Sequence, residues 1–78
     1  MIVLQLTELS VGAKALVTDL TSVSSLVKRR LTDLGLMEGS VIALKKLLPF
    51  GGPCTIEVNG QWIAMRRKEA LHIQVKTI

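Results

Sequence analysis

Seventy-eight residues allow one domain and leave no room for a second. With 49% of residues hydrophobic, so short a chain can close a core without a metal or a disulfide. The single cysteine, Cys54, excludes an intramolecular disulfide and therefore a secreted disulfide scaffold. A formal net charge of +4 favours acidic partners, whether a nucleic acid, an anionic membrane surface or an acidic protein face, and selects none of them.

Met1 to Leu9 lacks the positive start, the apolar run and the cleavage site of a signal peptide. No uncharged stretch approaches the length that spans a bilayer, so the expected compartment is the cytoplasm. Leu6 to Leu9 reads as an opening strand or a single helical turn before the Ser10-Val11-Gly12 turn. Lys14 to Leu20 is short and bounded by turn formers, and reads as a strand. The period then changes. Thr21, Ser22, Ser24 and Ser25 offer N-caps, and Val23, Val27, Leu31 and Leu34 follow at helical spacing, with Leu26 widening the apolar face. Gly35 closes the helix because it tolerates the left-handed conformation, and Leu36 then folds back onto the last turn.

Beyond Glu38-Gly39 the chain is strand-like. Ser40 to Leu48 forms a long strand in which Ile42 and Leu44 point inward and Val41, Ala43 and Leu47 outward. Pro49-Phe50-Gly51-Gly52-Pro53 is a loop. Cys54, Ile56 and Val58 alternate with Thr55 and Glu57 in a half-buried strand. Asn59-Gly60 is a type I′ hairpin signal, since both positions tolerate positive φ. Gln61 to Arg66 returns with Ile63 and Met65 on one face, Arg67 to Ala70 is a helical turn or a loop, and Ile73 and Val75 make a closing strand. The spacings are too short for helical crossovers. The fold class is therefore mainly β, a small SH3-like barrel of about five antiparallel strands with one α-helix in the first long connection. An OB-type barrel is the rival, but its helix usually falls later.

The run Arg29-Arg30-Leu31-Thr32-Asp33-Leu34-Gly35-Leu36-Met37-Glu38-Gly39 resembles the helix and turn of the FeoA family. Three further segments agree in order: Leu6 to Gly12, Gly52-Pro53, and Ile63 to Ala70 before Ile73 and Val75. The resemblance covers nearly the whole chain, 1–78, as one FeoA-like domain. Glu38 stands where the family often has proline. The resemblance implies an SH3-like barrel and an accessory role in ferrous-iron uptake, with the cytoplasmic part of a FeoB-type permease as partner. The same domain type follows a helix-turn-helix domain in repressors of the diphtheria-toxin-repressor kind, and this chain carries no helix-turn-helix.

No catalytic residues are expected. The six acidic residues stand singly, and the one nucleophile–base pair on offer is Cys54 with His72. Cys54 is in phase with Ile56 and Val58, hence a buried, inert thiol, whereas His72 is out of phase with Ile73 and Val75. Cys54, His72, Glu57 and Glu69 are the available metal donors, and no pair has the close spacing that builds a site. No metal site or cofactor is expected, weak binding of ferrous or another divalent transition metal being the alternative. Gly51-Gly52-Pro53 is too short for a P-loop. Lys28-Arg29-Arg30, Lys45-Lys46 and Arg66-Arg67-Lys68 hold eight of the ten positive charges and read as a solvated surface or as positive faces. Nucleic acid is the runner-up partner, disfavoured because Phe50 and Trp62 are the only aromatic rings. The expected partner-binding residues are Arg29, Arg30, Leu47, Leu48, Phe50 and Trp62, since such apolar, aromatic and arginine side chains carry interface energy. Barrel edges and apolar loops leave a homodimer open.

Overall fold

The computed structural model describes residues 3–78. Six strands form one antiparallel sheet: β1 (Val3–Gln5), β2 (Lys14–Asp19), β3 (Val41–Leu47), β4 (Cys54–Val58), β5 (Gln61–Met65) and β6 (Gln74–Thr77), in the spatial order β1-β6-β2-β3-β4-β5. A 3-10 turn at Leu6–Glu8 follows β1, helix α1 (Ser25–Asp33) lies between β2 and β3, and the short helix α2 (Arg67–Ala70) lies between β5 and β6. The sheet curls on itself, and the molecule measures 28 × 26 × 24 Å. Curling turns one face of every strand inward. Leu6, Val17, Ile42, Leu44, Ile56, Ile63, Ile73 and Val75 fill that interior, with Leu31 of α1 and Leu36 closing one opening. No helix among the described residues is long and apolar enough to cross a membrane.

The mainly β barrel expected from the spacing is present, with two differences in count. The extra strand is β1, where Val3, Leu4 and Gln5 pair with Lys76, Val75 and Gln74. Three residues carry too little pattern to announce a strand, and it is the neighbouring edge of β6 that extends them. The second helix is α2, whose Glu69 carboxylate accepts from the Arg66 backbone N–H at 3.1 Å and caps its first turn.

Helix α1 begins where Ser24 Oγ accepts from the Val27 N–H at 3.3 Å. It ends in a full Schellman pair: Leu36 N–H donates to Leu31 O and Gly35 N–H to Thr32 O, both at 2.9 Å, with Gly35 at φ +95°. The apolar face is narrower than expected. Leu26 is 80% exposed, because it lies about 100° around the helix from Val27 and about 140° from Leu31, the one fully buried helical residue. Leu34, at the C-cap, is also partly exposed.

In β3 the period of two is interrupted. Leu44 pairs with Ile56 but Lys46 pairs with Thr55, so Lys45 is an extra residue in a bulge. The bulge reverses the phase, and Leu47 arrives opposite Cys54, half-buried against the core rather than outward. Ala43 also departs from expectation. It is buried between Lys14 of β2 and Glu57 of β4, whose longer side chains flank its methyl group. Val41 alone of the three is exposed as expected. Asn59 and Gly60, at φ 52° and 79°, make the anticipated tight turn between Val58 and Gln61.

Candidate interaction surface

The connection between β3 and β4 is a hydrogen-bonded projection. Gly52 N–H donates to Pro49 O at 3.1 Å, closing a four-residue turn with Phe50 at φ 60° and Gly51 at φ 72°. Positive φ at both central positions is the type I′ pattern, which glycine and asparagine tolerate and a phenylalanine opposes. Below the turn, Leu48 N–H donates to Pro53 O at 3.2 Å. Arg67 reaches across from α2 and ties both sides together, donating from Nε to Gly52 O at 3.3 Å and from Nη2 to Leu48 O. Gly52 has to be glycine here, since a Cβ would lie 2.9 Å from Leu48 Cβ and 3.1 Å from Pro49 O. The result is a Phe50 ring that is fully exposed, with Leu48 half-exposed beside it.

α2 is fixed to α1 by an ion pair. Arg30 Nη2 lies 2.9 Å from Glu69 Oε1, the oxygen that also caps α2. Partial burial pushes the Glu69 carboxyl up. The Arg66 N–H and the Arg30 guanidinium pull it down further, and the balance lies below the ordinary carboxylate range. Between the loop and α2 runs a groove of about 590 Å³ lined by Gly51, Pro53, Arg66, Arg67, Lys68 and Leu71. On the other side of α2 a second cleft of about 470 Å³ opens toward Ser22, Ser24, Val27 and His72.

The residues expected to bind a partner are therefore divided. Leu48 and Phe50 sit at the projecting loop, and Leu47 beneath it is turned inward by the bulge. Arg29 is exposed on α1, whereas Arg30 is engaged with Glu69. Trp62, 57% exposed, is elsewhere: it pairs with Glu57 next to the Asn59-Gly60 turn, at the opposite end of β4, roughly 10 Å along the strand from Cys54. There Lys45 Nζ lies 5.9 Å from its ring centroid and 3.3 Å from Glu57 Oε1. Arg67, Glu69 and Leu71 lie outside the six residues expected to bind a partner. Arg67 stood out only as one of three adjacent cations, and nothing in that run marks which of them reaches a loop fifteen residues away.

Cys54 is fully buried, and desolvation pushes its thiol up, away from the reactive thiolate. His72 is exposed in the turn after α2. The two do not share a pocket, and among the described residues no three His, Cys, Asp or Glu side chains gather to hold a metal ion. Glu38, the departure from the family pattern, has a defined place: its Oε2 accepts from the N–H of buried Leu20 at 3.0 Å.

Comparison with known proteins fits this geometry. No curated protein matches. Among solved structures, a FeoA protein from Chlorobium tepidum superposes with a TM-score of 0.89 at 37% identity, over 96% of this chain and 70% of that one. A crystal structure described as an iron uptake regulatory protein, FeoA, superposes at 0.85 with 26% identity over the full length of both chains. A manganese-dependent transcriptional repressor shares the fold, with a TM-score of 0.87 at 16% identity over 97% of this chain and 42% of its own. The FeoA domain family model matches residues 4–77, and the chain belongs to the FeoA domain family.

Proposed function

We propose that this chain is an accessory protein of ferrous-iron uptake that works in the cytoplasm by binding and modulating the cytoplasmic part of a FeoB-type permease, without catalysing a reaction itself. The observation that carries this reading is the family match over residues 4–77, supported by a solved relative described as an iron(II) transport protein. The surface chemistry agrees with it. The exposed side chains Leu48 and Phe50 stand beside the cations of α2, a combination suited to a protein contact. Such a protein acts by differential binding: it shifts the permease toward whichever state it binds more tightly. Iron enters as cargo of the permease. The outer strands β1 and β5 present edges to which a second copy can add, so a homodimer belongs to the same reading.

The test is retention of the permease. Immobilised chain, shown to be folded, is incubated with detergent-solubilised membranes of the source cell. Specific retention of the permease is expected, and its failure to bind would overturn the reading.

A further inference from the structure

Phe50 is unfavourable for the turn it occupies. The second tight turn of the molecule places Asn59 at the corresponding position, φ 52°, where asparagine is at ease. Phe50 holds φ 60° with its ring fully exposed, so no packing within the chain offsets the strain. Yet the loop that presents it is braced, through Arg67, at both Leu48 O and Gly52 O. A strained aromatic residue on a braced loop, with its ring in solvent, is a feature the fold itself does not require.

The groove beside it has a definite chemistry. Gly51, Pro53 and Leu71 supply apolar walls, and Arg66, Arg67 and Lys68 supply three positive charges. No acidic side chain lines it. The nearby Glu69 carboxylate is committed to Arg30 and to the Arg66 N–H. We propose that this groove and Phe50 bind a short acidic segment of a partner protein, which seats one bulky apolar side chain between Phe50 and Leu71 and sets its carboxylates against Arg66 and Lys68. Charge complementarity selects an acidic occupant, and the apolar walls select a peptide over a phosphate backbone. The inference rests on the reading of the chain as an interaction module and adds where the contact lies and what it recognises.

Two blocked peptides test it by amide chemical-shift titration of the full chain. One carries a leucine and a phenylalanine between pairs of glutamates, and the other has lysines in place of the glutamates. The acidic peptide is expected to give saturable shifts at Gly51, Gly52, Lys68 and Leu71, and the lysine peptide none. Phe50→Asn suits the turn, and Lys68 makes no ion pair among the described residues, so both variants keep the fold. Phe50→Asn and Lys68→Glu are each expected to weaken the acidic peptide about tenfold. Equal response to both peptides, shifts centred on Trp62, or unchanged affinity in the variants overturns the proposal. So does sedimentation with phosphatidylserine vesicles that both variants abolish while the peptide fails to bind. Permease retention separates the two readings. If wild type and variants retain it equally, the contact lies elsewhere and the functional reading stands. If wild type binds the peptide but retains no permease, the groove stands and the functional reading falls.

Discussion

Phe50 adopts a left-handed backbone that costs a non-glycine residue about 1–2 kcal/mol, and its ring recovers none of this by burial. Phe50→Asn is therefore expected to raise stability by about 1 kcal/mol in chemical denaturation, an unusual gain for deleting an aromatic side chain. Arg67 acts on the same loop from a distance. Arg67→Met removes its hydrogen bonds to Leu48 O and Gly52 O, and hydrogen exchange at the Gly52 amide is expected to accelerate while the β2 amides stay protected. Glu38→Ala leaves the part-buried Leu20 N–H without its acceptor and is expected to cost about 1 kcal/mol in chemical denaturation. These single-residue roles divide sharply in how legible they were. The inward Cys54 followed from its alternation with Ile56 and Val58, and its neighbours on the sheet agree. The inward turn of Leu47 is not legible in the sequence because a bulge at Lys45 has no local signature: Lys45 and Lys46 look alike, and only the pairing with β4 decides which is extra.

Elements with their own terminal signals were readable. Helix α1 carries a serine cap and a glycine stop, and both serve as expected at Ser24 and Gly35. Its apolar face is narrower than the spacing suggests because Leu26 lies in the first turn, outside the arc that faces the barrel. Strand β1 and helix α2 were less clear, since three and four residues hold too little periodicity and depend on β6 and on Glu69. The Arg30–Glu69 pair that joins α1 to α2 has a pH signature. The Glu69 carboxyl titrates lower in the folded chain than in the unfolded one, so its contribution is complete above the unfolded carboxylate range. That contribution is lost as pH falls through the folded value. Glu69→Gln is expected to lower stability at neutral pH by about 1 kcal/mol and to flatten the acid limb of the stability–pH curve. Denaturation midpoints measured from neutral to strongly acidic pH check both.

Over the whole molecule, the closed barrel fixes where its outer side chains stand relative to one another. Among the described residues eighteen buried apolar side chains form one continuous core, and Arg67 ties α2 to the β3–β4 loop above it. The division of cations was invisible in the sequence for the same reason. Lys45 goes to Trp62 and Glu57, Arg30 to Glu69 and Arg67 to loop carbonyls, and these assignments depend on how the sheet closes. Arg66 and Lys68, with Arg67 between them, line the groove beside the β3–β4 loop and make that side of the barrel positive. The decisive measurement is equilibrium binding of the purified chain to the permease in nanodiscs over a range of salt concentrations. Saturable binding is expected, weakening with rising salt and with Lys68→Glu, while Phe50→Asn weakens it without changing the salt dependence. A folded chain that shows no saturable binding to the permease at low salt would contradict the proposed function.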